Sequence, residues 1–178
     1  MTRPRVGISR CLLGDPVRYD GTHRLDGRIT ELLSPLVEWV AVCPEVEVGM
    51  GTPREPIQLV ASADGVPSGD RLVRLRGVRS GHDWTERMAE WARRRVPELA
   101  ALDLSGYVFK AGSPSCGIDD AAIDAVDGER LGSGLFAQAL IDALPDLPVI
   151  DEKSLGDATR RAQFLEQVLR HHGRLSSG

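Results

Sequence analysis

The apolar residues of this chain come in short runs that end abruptly at turn-forming residues, and these runs divide it into alternating strands and helices. Runs over residues 6–9, 40–43, 57–61, 71–76, 106–109 and 148–151 have strand length and are rich in Val, Ile and Leu. The pair at 57–61 and 71–76 is separated by a Gly/Pro-rich turn over 64–70 and is predicted to form a hairpin at the sheet edge. Helical spacing appears within 27–39, where Ile29, Leu32, Leu33, Leu36 and Val37 fall on one face and Pro35 predicts a kink or break. A second helix is predicted over 83–96, with Asp83 as cap and Glu86 at the capping-box position. Gly132-Ser133-Gly134 opens a third, running to Ala143. A last helix over 157–172 carries Ala158, Ala162, Leu165, Val168 and Leu169, and Gly173 is expected to stop it. Residues 118–131 are acidic and show no clear period.

Alternation of strand and helix predicts an α/β class: a single Rossmann-like domain over 1–173, with a largely parallel sheet flanked by helices and a loose tail at 174–178. In such sheets ligands bind beyond the carboxyl ends of the strands. The three cysteines, Cys11, Cys43 and Cys116, each follow a predicted strand. Each is bracketed by turn residues: Leu12-Leu13-Gly14, Pro44-Glu45, and Ser115 with Gly117. Taken singly, a cysteine is more often a small buried hydrophobe than a ligand. Three at three strand ends point to one shared crevice.

Composition narrows the options. A net charge of −4 argues against nucleic-acid backbone binding as the main task. No apolar run approaches membrane-spanning length, and no signal-like start precedes the first strand. An odd cysteine count without C-x-x-C pairs reads as free thiols in a cytoplasmic chain, available for metal or catalysis.

Three thiolates can serve several chemistries. Structural zinc normally takes four ligands with close pairs, which are absent. A thiol nucleophile needs a positioned histidine, yet His23, His82, His171 and His172 all read as structural or surface residues. Iron–sulfur clusters are usually held by four cysteines, so three would leave one iron open. Spacing alone does not choose among these. Beside Cys43 stand Glu45, a candidate base, and Arg54, held between Pro53 and Pro56.

Three segments together resemble a known family. They are Ile8-Ser9-Arg10-Cys11-Leu12-Leu13-Gly14 with Val17-Arg18-Tyr19-Asp20-Gly21; Val42-Cys43-Pro44-Glu45 with Gly49-Met50-Gly51-Thr52-Pro53-Arg54; and Ser113-Pro114-Ser115-Cys116-Gly117. Gly132-Ser133-Gly134-Leu135 is similar too. The pattern resembles the domain of unknown function 523 family, which includes the thiouracil desulfidases, and departs from it at Ile118-Asp119-Asp120-Ala121-Ala122. The resemblance implies a [4Fe-4S] cluster held by Cys11, Cys43 and Cys116, with one iron lacking a protein ligand. It also implies non-redox removal of sulfur, as sulfide, from a small thiolated base or nucleoside such as 2-thiouracil. Glu45 and Ser113 would then be catalytic, and Arg18, Arg54 and Ser115 would contact substrate or cluster. The alternative is a sulfide carrier or cluster-binding protein without turnover. A thiol-dependent hydrolase is weaker for want of a histidine partner.

Overall fold

The computed structural model describes residues 2–62, 73–126 and 128–176. Four parallel strands form the first sheet: β1 (Arg5–Ser9), β2 (Glu38–Val42), β5 (Leu104–Phe109) and β8 (Val149–Asp151), in the order β2-β1-β5-β8. The chain runs outward from β1 to β2, then crosses back to place β5 on the other side of β1. That reversal puts a switch point between β1 and β5, where α/β sheets form crevices at their carboxyl ends.

Both faces of this sheet are covered, which is why β5 is buried along its whole length. Side chains alternate between two cores. Val6, Ile8, Val108 and Ile150 pack with Phe164 and Val168 of α4 (Ala158–Leu175). Tyr107 and Phe109 face the other way, toward Phe136 and Leu140 of α3 (Leu135–Ala143) and Met88 and Trp91 of α2 (Thr85–Ala100). Tyr107, Phe109 and Phe136 are fully buried and in mutual ring contact. Burying a Phe of this kind contributes about 2 kcal/mol relative to exposing it. Gly7 lies opposite Tyr107 in the ladder, and the tyrosine ring fills the space a Gly7 side chain would need.

The α/β class and the parallel sheet agree with the sequence expectation, but a second sheet was not foreseen. It has the order β4-β3-β6-β7, from β3 (Ile57–Ala61), β4 (Val73–Gly77), β6 (Ala121–Asp124) and β7 (Arg130–Gly132). The β3–β4 hairpin is antiparallel as predicted, yet it belongs to this second sheet and not to the edge of the first. Its connecting turn, at 64–70, lies outside the described residues. The acidic stretch without a period supplies β6 and β7.

Local differences have local causes. The helix expected within 27–39 is reduced to a wide π-helical turn, Ile29–Leu33, closed by Ser34 N–H to Ile29 O at 3.1 Å, and β2 already begins at Glu38. Pro35 cannot continue the ladder, and Leu32 and Leu36 stay exposed. No capping box opens α2: Asp83 accepts from Thr85 N–H and pairs with Arg74, while Glu86 pairs with Arg93. That helix runs through Pro97 to Ala100, and α4 runs through Gly173 to Leu175, beyond the expected stop. Among the described residues no helix is long and apolar enough to cross a membrane.

Candidate active site

The carboxyl ends of the parallel strands open into a cavity of about 280 Å3. After β1 the chain enters a single 3-10 turn, Arg10–Leu13, which carries Cys11. After β2, Cys43 stands at the N-terminal end of a one-turn helix, α1 (Pro44–Glu47), started by Pro44 at a position where a missing N–H costs nothing. After β5, the loop Ser113-Pro114-Ser115-Cys116 leads toward α3. Cys11, Cys43 and Cys116 are all free thiols and all line the cavity, with Glu45, Ser113, Arg18 and Arg54. An adjoining cleft of about 480 Å3 shares Arg54 and Ile57 but has no cysteine.

The loop holding Cys116 is tightly specified. The Ser113 hydroxyl oxygen accepts from the N–H groups of Ser115 and Cys116, at 3.2 and 3.1 Å. Ser115 O in turn accepts from Phe136 and Ala137 N–H at the start of α3. Gly134 is pressed against the Ser115–Cys116 backbone so closely that any side chain there would overlap it. With its oxygen accepting from the backbone, Ser113 keeps one O–H free to donate.

Burial pushes the Cys11 thiol up to about 11 and the Cys43 thiol up to about 12; it pushes Cys116 well above the ordinary thiol value. In each case the Glu45 carboxylate is the next cause, and Cys11 and Cys43 add to the effect on Cys116. Buried thiols beside a carboxylate resist ionising on their own. A cationic group bound among them would draw their protons off, as metals do at cysteine sites. Among the described residues no three His, Cys, Asp or Glu side chains are grouped to share a single metal ion. A cubane cluster makes a different demand, since it takes each thiolate at a separate corner. Three soft donors distributed around one cavity fit such a cluster better than they fit zinc.

Glu45 sits 3.5 Å from the Cys43 sulfur and 4.0 Å from an Arg54 nitrogen, with both charged side chains nearly buried. Arg54 is chiefly a brace. It donates to Val17 O and Gly51 O, each at 2.9 Å, while its own N–H reaches Tyr19 O at 2.8 Å. Arg18 lies over the Tyr19 ring at 5.4 Å and pairs loosely with Asp20. Ser115 does not line the cavity; it is fully buried, and its hydroxyl has no partner among the described residues. None of the four histidines lines the cavity either.

Sequence reasoning passed over several groups. Glu47 accepts from Cys43 N–H at 3.3 Å and pairs with Arg95 of α2 at 3.1 Å. Lys110 and Ser9 also line the cavity, and Ser9 Oγ accepts from Lys110 N–H at 3.0 Å. The lysine had one legible signal: it is one of only two lysines among 22 Lys and Arg residues.

Comparison with known proteins gives the family of the chain. A solved structure described as a [4Fe-4S]-dependent thiouracil desulfidase, TudS, superposes with a TM-score of 0.66 at 26% identity, covering 90% of this chain and 99% of that one. The uncharacterised protein YbbK of Bacillus subtilis (strain 168) is 32% identical over 152 residues, 84% of this chain and 97% of its own length. The family described as 2-thiouracil desulfurase matches residues 6–152, a span that holds all three cysteines, Glu45 and Ser113. The chain therefore belongs to the 2-thiouracil desulfurase family.

Proposed function

We propose that this protein removes sulfur from a small thiolated pyrimidine, a 2-thiouracil-like base or nucleoside, and releases it as sulfide without net oxidation or reduction. Cys11, Cys43 and Cys116 would hold a [4Fe-4S] cluster with one iron free of protein ligands. The observation that carries this reading is that three free thiols, a nearly buried carboxylate and a hydroxyl line one cavity at the strand ends. Family membership and the likeness to TudS support it.

When bound, such a cluster supplies a Lewis acid with affinity for soft sulfur, which makes the attached carbon more electrophilic. The chain's own residues do the rest. Glu45 accepts the proton of the water that attacks the thiocarbonyl carbon. Arg54, braced by two carbonyls, keeps that carboxylate in place. The free O–H of Ser113 hydrogen-bonds to the base and orients it. A sulfide carrier has no use for a base 3.5 Å from a ligand sulfur, which favours turnover over storage.

Iron analysis tests the cofactor. Protein prepared without oxygen is expected to be brown, with about four irons and as many acid-labile sulfides per chain. Colourless protein that binds one zinc ion after reconstitution with iron and sulfide would overturn the assignment.

A further inference from the structure

Among the described residues five cationic side chains line the cavity, in a protein whose net charge is −4: Arg10, Arg18, Arg24, Arg54 and Lys110. Among the described residues Glu45 is the one acid in that lining. Four of the five are arginines, which do not give up a proton in proteins. Lys110 is the exception, in a chain that uses lysine only here and at Lys153. Elsewhere in this sequence positive charge is carried almost entirely by arginine.

Lys110 is also held with care. It directly follows β5, with its own N–H on Ser9 Oγ. Its ammonium donates to Ala111 O at 2.8 Å and to Glu152 Oε1 at 2.5 Å. The other oxygen of Glu152 accepts from Ala111 N–H at 2.6 Å. Glu152 follows β8, is 9% exposed, and so reaches across from the neighbouring strand end to fix both ends of the Lys110–Ala111 unit. An ammonium has three N–H groups. Two are engaged, which leaves one for whatever occupies the cavity. Lys110 lies close enough to Cys11 for its charge to favour the thiolate there.

We propose that Lys110 is the acid of the reaction, giving a proton to sulfur as it leaves carbon, and that Glu152 is its positioning residue. This rests on the desulfidase reading above. Water oxygen bonds to carbon, and one of its protons passes to Glu45 and on to solvent. The carbon–sulfur bond breaks with its electron pair going to sulfur. Lys110 protonates that sulfur, which departs as hydrosulfide. The second proton of the water reloads Lys110. No electron enters or leaves, and no co-reactant beyond water is consumed.

The test compares Lys110→Arg, Lys110→Met and Glu152→Gln with the wild type, all prepared with their cluster under anaerobic conditions. Iron content, visible spectrum and the spectral response to added 2-thiouracil are expected to stay unchanged. KM is expected to stay within about twofold, while kcat falls about a hundredfold or more in both Lys110 variants, as for loss of a catalytic acid. Glu152→Gln should fall less, by about tenfold. Independently of turnover, 2-thiouracil should slow acylation of Lys110 by a small amine-reactive anhydride, which transfers its acyl group and releases the carboxylate. Lys153, whose side chain is 71% exposed, serves as the internal reference in the same mass spectrum. Near-wild-type kcat in Lys110→Arg would reduce Lys110 to a charge and overturn the proposal. Loss of the cluster in both Lys110 variants, or acylation indifferent to thiouracil, would overturn it as well. Wild-type protein that carries its cluster but releases no sulfide marks failure of the desulfidase reading itself, and this proposal falls with it.

Discussion

Replacement of Cys116 by alanine is expected to abolish cluster binding while leaving the chain folded. Its sulfur is one of three soft donors around the cavity, and no histidine there could substitute for it. The fold has other supports. Cys116 sits in a loop already tied by Ser113, Gly117 and the start of α3, so its backbone path does not depend on the thiol. Removing one buried sulfur atom costs about 1 kcal/mol, a small truncation in a core. Far-ultraviolet circular dichroism and melting should therefore stay close to those of cluster-free wild type, while iron falls from about four per chain to a small residue. Cys11→Ala and Cys43→Ala should behave alike. Retention of a full cluster by any of the three would remove that residue from the ligand set. Equal loss on changing His23 would point to a fourth ligand and a closed site.

Glu45→Gln is expected to separate binding from chemistry. The amide keeps the size of the side chain and much of its hydrogen bonding but cannot take a proton from water. Cys43 should still adopt its place, since its backbone is held by Glu47 and by the start of α1. Cluster content should thus match wild type, and 2-thiouracil should still perturb the spectrum. Turnover should fall by about a hundred- to ten-thousandfold, the range for loss of a general base. The variant also removes a negative charge that pushes all three thiols up, so the cluster should load no less readily than in the wild type. Near-wild-type turnover in Glu45→Gln would assign the base to another group.

Much of this architecture was legible in the sequence because its parallel strands are short apolar runs that stop at turn-forming residues. A run such as Val40-Ala41-Val42 ending at Cys43-Pro44 announces both a strand and the place where it stops. The same logic placed Cys11 and Cys116 at strand ends, and the cavity does bring the three thiols together. The second sheet was not legible because β6 and β7, with four and three residues, are too short to show a period. Their pairing with β3 and with each other comes from tertiary contact, not local pattern. The same limit hid the clamp between Lys110 and Glu152, whose members are 42 residues apart and meet only because β5 and β8 are neighbours. Ser115 shows the converse. Its place beside Cys116 suggested a contact with ligand, but the chain turns its side chain into the protein interior.

Product analysis of the anaerobically prepared wild type tests the central claim most directly. With 2-thiouracil in excess and no added reductant or nucleotide, sulfide and uracil should form in equal amounts over many turnovers. Release of no more than one equivalent of sulfide per chain with no uracil formed, or conversion that needs a reductant, would contradict a non-redox desulfidase.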